Sequence, residues 1–508
     1  MEERAGRGLT GYRLWNVRPL CLAVLGLSIG IALCFYVRPN AGLCVAVCLG
    51  FGVCMLWLAR TGRRGFFVML VLMMIGIGWG RASFSLQRIT VWPEEGRIQG
   101  DIHEIQEQEG VYTILLDDVV LNGVQTKEQL RVRTKSDTMQ YARPGDVFEG
   151  YAFSIWAPEM DSVWDRAQRY ANHWDKLAWV GETEAKITQT EFRLRFVPAR
   201  IRDMVADRID TLFGRAAPTV KGMVLGDKTD LSDEQKTGYE RAGISHILAV
   251  SGLHVGFLGV MVSNLLRRSR LGRRTQTAAL LCFVWGYCAV VGFPASAVRA
   301  TVMVSVRQCN LACGRRTDLL ENLCLAALLI LLWNPLQLLM PGFQLSFAAV
   351  WGIATVSAAL ARWKPGMGWL GRSLSTSLGA QLGIWPISLY FFEGISVVSF
   401  LANLFVIPLA SLITSSAFAI LLCSLGLPGL AAGLSKAVAG LVLLMNYGAA
   451  WTARIPGALL TMPAWPVSAT LLFLASLFFL SPYCLWKTKD RWTVAGLCWL
   501  VALLLALV

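Results

Sequence analysis

The stretch SVVSFLANLFVIPLASLITSSAFAILL, residues 396–422, holds no charged side chain and is long enough to cross a bilayer as a single helix. Working outward, further apolar runs lie at 20–37, 41–59 and 66–80 on the amino-terminal side, and near 244–266, 276–294, 297–313, 319–333, 344–361, 374–391, 428–448, 463–481 and 492–508. Only 16% of the 508 residues are charged and 55% are hydrophobic, whereas soluble domains carry about a quarter charged residues. A soluble protein is excluded, and the fold class predicted is a polytopic α-helical membrane protein of about 11–13 spans.

Charge placement orients it. Arg4, Arg7, Arg13 and Arg18 precede the first run, and Arg60, Arg63 and Arg64 follow the second. The positive-inside rule therefore puts the amino terminus in the cytoplasm and, after three spans within residues 1–88, delivers residues 81–217 to the outer face. The first run is not a signal peptide, because two more spans follow at once without a small-residue cleavage pattern. The Arg-rich loops at 267–274, 315–316, 362–372 and 487–491 all become cytoplasmic if each later run crosses once, although 297–313 carries Arg299 and Arg307 and is expected to be only partly embedded.

The formal charge of +14 divides unevenly. Residues 91–217 hold 16 basic and 22 acidic side chains, a net −6, which leaves +20 for the membrane block. A basic soluble domain gripping nucleic acid is thereby excluded. From 89 to 190 the pattern turns to period two, with short strands and an Asn122-Gly123 hairpin signal, so a small extracytoplasmic β-barrel of OB-like type is expected, with a longer connection near residues 156–179. Residues 191–217 read as an amphipathic interfacial helix: Ile201, Val205, Ile209 and Leu212 or Phe213 share a face, and Arg200, Arg202 and Arg208 lie elsewhere. Those arginines suit either a lipid surface or a guide for DNA. Residues 218–508 form the multi-span domain.

No enzyme or cofactor chemistry is legible. All thirteen cysteines sit in or beside apolar runs, where they pack as small apolar residues. The four histidines, at 103, 173, 246 and 254, include no pair at i, i+4, so no metal site is expected.

Polar groups inside apolar runs are costly and are the best pointers to function. The first cluster is Gly226-Asp227-Lys228 followed by His246, Ser251, Gly252 and His254. A Ser-Gly break lets a helix open its backbone toward water. Ser251 and His254 could be a nucleophile and base, a helix-packing pair, or part of an aqueous lining. No Gly-x-Ser-x-Gly run supports the first of these. Further positions are Pro294 and Arg299, Asn334-Pro335, Gln344, Gln381 with Pro386, and Asn403 with Pro408. Arg299 needs either a counter-charge, for which Glu321 is a candidate, or a polyanionic substrate.

In this order the motifs resemble the ComEC family of competence proteins, inner-membrane channels that admit single-stranded DNA during natural transformation. The resemblance rests on Leu225-Gly226-Asp227-Lys228, His246 through His254, Ser296-Ala297-Val298-Arg299, Asn334-Pro335, the Gly342–Phe347 run, and the spacing of Gln381, Pro386, Phe392, Asn403 and Pro408. It covers 219–450 closely and 1–190 in layout. It implies a multi-pass protein of the inner (cytoplasmic) membrane whose DNA path includes His246, Ser251, Gly252, His254, Arg299, Gln344 and Asn403. Single-stranded DNA, membrane lipids, an extracytoplasmic DNA receptor, a cytosolic ATP-driven translocase and further copies of the chain are the implied partners. Many family members end in a metallo-β-lactamase-like domain; this sequence ends at Val508 without one, so no nuclease activity is expected of it, whether it is a short natural form or a truncated chain. The alternatives are a transporter for a small anion or lipid precursor and a non-conducting scaffold of the uptake machinery.

Overall fold

The computed structural model describes residues 19–35, 49–50, 52–53, 66–86, 93–108, 110–126, 129–156, 176–190, 193–248, 250–314, 318–455, 457, 459–481, 484 and 488–507. The expected span at 41–59, apart from its four described residues, and most of the connection at 156–179 lie outside this set.

Two helices open the described chain, α1 (Pro19–Leu33) and α2 (Phe66–Leu86). They cross closely because Gly26, Gly30 and Gly78 leave no side chain between the backbones: a methyl at Gly30 would collide with the carbonyl of Ile75, and one at Gly78 with that of Leu27.

The polar segment forms a closed five-stranded barrel. Strands β1 (Gly96–Gln108), β2 (Val111–Leu121), β4 (Leu130–Thr134), β6 (Lys176–Val180) and β5 (Val147–Trp156) pair in that order, and β5 closes the circle onto β1. All these pairings are antiparallel except β4 with β6. Short β3 (Val124–Gln125) and β7 (Lys186–Thr188) attach to β2 and β5. The period-two pattern does the sorting: Leu130 and Val132 join Ile98, Ile102, Ile114, Leu116 and Phe148 in the barrel core, while Arg131 and Arg133 alternate outward. The β2–β3 turn sits at Asn122-Gly123, both with positive φ, and the Asn122 carboxamide accepts from the Arg97 amide.

Helix α3 (Val197–Phe213) joins barrel to helical block. Arg200 donates to the carbonyl of Pro144, Arg202 pairs with Glu104 at 2.9 Å, and just before the helix Arg193 and Arg195 pair with Asp101, Asp117 and Asp118. On its other side Ile209 and Phe213 are buried with Ile413, Ala417, Val442 and Met445. Two of the three arginines read as facing lipid or DNA are thus bound to the barrel.

The barrel latch carries a pH dependence. His103 Nδ1 lies 3.0 Å from Asp117 Oδ2, although the ring N–H is not aimed well enough for a good hydrogen bond. The Asp117 carboxylate raises the imidazole above its ordinary value, against the opposing effect of burial. Burial pushes the Asp117 carboxyl up, but contacts with His103 and Gln129 and the charges of His103 and Arg195 outweigh it and hold it below the ordinary carboxylate range. A raised imidazole stabilises below pH 6.5 and loses that contribution as pH rises through its folded value; a lowered carboxylate stabilises above pH 3.8 and loses it as pH falls. The pair is therefore strongest between those limits, and partial exposure keeps it to about 1 kcal/mol or less. Hydrogen exchange of the barrel and α3 amides in the full chain should separate wild type from His103→Gln at pH 5.5 more than at pH 8. A difference that grows toward pH 8 would reverse the sign argued.

The remainder is helical: α4 (Ala217–Leu225), α5 (Asp233–Arg241), α6 (Gly252–Arg267), α7 (Arg273–Val290), α8 (Ala295–Ala312), α9 (Leu319–Trp333), α10 (Pro341–Gly352), α11 (Ala358–Trp363), α12 (Trp369–Phe392), α13 (Ser399–Cys423), α14 (Pro428–Ala453), α15 (Val467–Leu480) and α16 (Thr488–Leu507). A π-helical turn at Ile353–Ser357 joins α10 to α11. Among the described residues four helices are long and apolar enough to cross a membrane, Phe67–Ser85, Pro341–Trp363, Ala402–Cys423 and Pro428–Ala453, and four shorter apolar helices accompany them. The apolar run at 244–266 is not one helix. Ser245–Leu248 makes a single 3-10 turn, and α6 starts only at Gly252 with Ser251 as its N-cap, because a serine hydroxyl and a glycine favour a helix start over a helix interior.

Candidate functional site

Short connections alternate the direction of the helices from α6 onward, so α6, α8, α10 and α13 run the same way and bring their amino ends to one level. Four contacts fix the level. Ser296, in the first turn of α8, donates its hydroxyl to the carbonyl of Val250, just before α6, at 2.5 Å. A methyl at Gly252 would rest 3.4 Å from the Ala300 side chain, and one at Gly342 would rest 3.7 Å from Nη2 of Arg299. Gly243 presses against Ser396 and Ser399 at the start of α13, in a left-handed conformation with φ of +69°.

At this level each helix carries one of the polar residues the sequence singled out: His254 in α6, Arg299 in α8, Gln344 in α10 and Asn403 in α13. None of the four helices has an acidic residue in its first turn. A helix amino end carries about half a positive charge, so their alignment makes this end of the bundle electropositive before any side chain is counted.

Arg299 sharpens the effect. It is 4% exposed, and among the described residues its Nε and Nη1 have no hydrogen-bond acceptor. Its guanidinium lies over the first turn of α10, which has no side-chain cap; Pro341 has no N–H and the first internal bond runs from Gln344 to Met340, which leaves the amides of Gly342 and Phe343 open. A buried cation facing a helix amino end is repelled by it, and an anion between them would satisfy both.

Glu321 does not supply the counter-charge. Asn310 donates to Asn322 at 3.0 Å, which sets Glu321 beside the far end of α8, and Arg299 is eleven residues earlier, about 16 Å along the axis. The pairing expected as one alternative from the sequence is corrected by the antiparallel packing of α8 on α9.

His254 is buried, and its Nδ1 accepts from the backbone N–H of Ser251 at 3.1 Å, with the Ser251 hydroxyl at the same distance. An Nδ1 that accepts places the proton of a neutral ring on Nε2. The pair closes the amino end of α6. His246 is accessible on the Ser245–Leu248 turn. Gln344 donates to the carbonyl of Leu338, and Asn403 is buried with no donor to its Oδ1 among the described residues.

The remaining motif residues shape the scaffold. Gly226 ends α4 in a left-handed conformation against Val250; Asp227 accepts from the amide and hydroxyl of Thr229; Lys228 offers its carbonyl to Leu231. Pro294 precedes α8, and Asn334 caps the 3-10 turn that Pro335 opens. Gln381 donates to Ser399, the carbonyl of Pro386 accepts from Thr470, and Pro408 lies inside α13. Sequence reasoning missed Lys221, which is 8% exposed and bridges Asp210 of α3 and Asp230, each at 2.7 Å. A lysine within the apolar turn VKGMVL with acids on either side was the available signal. No cluster of metal-ligating side chains occurs among the described residues.

Residues 223–488 match the family profile described as Competence protein. ComE operon protein 3 of Bacillus subtilis (strain 168) is 34% identical over 189 residues, 37% of this chain and 24% of that protein. Recombination protein 2 of Haemophilus influenzae (strain ATCC 51907 / DSM 11121 / KW20 / Rd) is 21% identical over 422 residues, 77% of this chain and 51% of that protein. The matched stretches thus span about half or less of these relatives' own length. No solved structure matches.

Proposed function

Because the chain belongs to the competence-protein family, we propose that it is a multi-pass channel of the cytoplasmic membrane that passes single-stranded DNA inward during natural transformation. Its amino terminus lies in the cytoplasm and its barrel outside. The observation that carries the reading is the buried, unneutralised Arg299 facing the open amides of α10 at an electropositive helix end. Such a site attracts phosphate oxygens, and successive contacts with His254, Gln344 and Asn403 would replace hydration without holding the strand tightly. The role is transport, not catalysis.

In this reading the barrel is an OB-type module that receives the strand. Its strand order and single parallel pair support that assignment, as does an outward face on which Arg133 lies 5.7 Å from the Trp179 ring, beside exposed Tyr151 and Phe153. The net acidity of the segment is then a property of the surface turned away from DNA, including the carboxylates that latch α3. A DNA receptor outside and an ATP-driven translocase in the cytosol are the partners proposed, since no phosphate-binding loop occurs in this sequence to power movement.

The test is entry of labelled DNA into a nuclease-protected cytoplasmic pool in a strain lacking the gene. Loss of entry with surface binding intact, restored by the gene, is expected. Normal entry in the deletion strain would sink the reading in favour of a transporter for a small anion or lipid precursor.

A further inference from the structure

At the end of the bundle opposite the Arg299 site, the carboxyl ends of α6 and α8 and the amino end of α7 line an open cavity of about 270 Å³, with Arg267 and Arg273 exposed at its rim. Its polar wall includes Arg267, Arg273, Thr277 and Gln308, and its apolar wall includes Leu266, Leu280 and Leu311. Among the described residues no carboxylate is recorded against either arginine, and the loop from 267 to 274 contains five arginines and no acid. Arg273 opens α7, whose first turn has no acidic residue, so a cation stands where a helix end disfavours one. The carbonyl ends of α6 and α8 oppose an anion, but each amounts to about half a charge, against two full guanidinium charges and the amino end of α7.

We propose that this cavity is a headgroup site for an anionic phospholipid. Two guanidinium groups and a helix amino end suit a phosphodiester, Thr277 and Gln308 suit glycerol hydroxyls, and the leucine wall suits the start of an acyl chain. A nucleic acid fits less well, because no aromatic side chain lines the cavity for a base to stack on. The proposal requires that α6, α7 and α8 lie in the membrane and does not depend on DNA passing through the protein.

The experiment titrates the detergent-purified full chain with phosphatidylglycerol or phosphatidylcholine and reads the melting temperature. A saturable rise with phosphatidylglycerol alone is expected. In Arg267→Gln/Arg273→Gln its apparent affinity should fall by at least about tenfold, the effect of losing one or two charge-assisted contacts. Arg268→Gln/Arg270→Gln, in the same loop but outside the cavity wall, should leave it nearly unchanged, and Arg267→Lys/Arg273→Lys should fold and keep the lipid preference. Equal stabilisation by both lipids, or equal losses in the two glutamine variants, would overturn the site. So would an oligothymidylate that displaces phosphatidylglycerol from wild type but not from Arg268→Gln/Arg270→Gln, since the cavity would then be taking nucleic acid.

Discussion

Arg299→Gln, at unchanged abundance in the membrane, is expected to lower entry of labelled single-stranded DNA by roughly ten- to a hundredfold, the loss of a charge-assisted phosphate contact of about 1.5 to 3 kcal/mol. Stability should move the other way. The guanidinium is buried, its Nε and Nη1 have no acceptor among the described residues, and it faces the amino end of α10, so removing its charge relieves a desolvated, uncompensated cation. The melting temperature of the purified variant should therefore equal or exceed that of wild type. Arg299→Lys should keep part of the uptake, as a point charge without the planar fork. A structural arginine would give the reverse pattern, with a fall in melting temperature and uptake lost only in proportion to protein lost.

The second large effect is on folding. Where α10 crosses α12, Gly352, Gly379 and Gly383 let the backbones touch: a methyl at Gly383 would collide with the carbonyl oxygen of Ala348, and one at Gly379 would stand 2.8 Å from that of Gly352. Carbonyl oxygens cannot rotate away as a side chain can, so Gly383→Ala must separate the helices and lose packing along the crossing. A loss of roughly 1 to 3 kcal/mol follows by analogy with other overpacking changes, enough to lower steady-state abundance several-fold. Gly440→Ala is the opposite control. Among the described residues nothing lies within 4 Å of its added methyl in α14, so the gain in helix propensity, about 0.5 to 1 kcal/mol, should leave the protein as stable or more so. Protease resistance of the two variants in isolated membranes reads both signs, and equal resistance would mean that the α10–α12 crossing is not tight.

What the sequence disclosed and what it hid follow from how local each signal is. Strand alternation and the Asn122-Gly123 turn are readable within a few residues, and the barrel core at Ile114, Leu116, Leu130 and Val132 is the one that alternation marks. The break at Ser251-Gly252 is equally local, yet hydropathy stays high across it, so an apolar window runs from 244 to 266 where the helix starts at Gly252. The counter-charge for Arg299 depended on which ends of α8 and α9 meet, a long-range fact, and Glu321 was near in sequence but far in space. Arg200 and Arg202 of α3 looked free because their partners, the Pro144 carbonyl and the Glu104 carboxylate, lie far earlier in the chain, in the barrel. The glycines at the α10–α12 crossing carry no mark that separates them from Gly440 until the partner backbone is in place.

The central claim is that the strand passes the level where the amino ends of α6, α8 and α10 come together. It is tested most directly by stalling single-stranded DNA in transit with a bulky group on its trailing end and placing a photo-crosslinking side chain at Gln344 or, as control, at Phe405, which is 74% exposed on α13. Crosslinks from Gln344, absent from Phe405 and lost when Arg299→Gln is added, are the predicted result. A stalled strand that never crosslinks to Gln344, or that crosslinks equally to Phe405, would contradict the account.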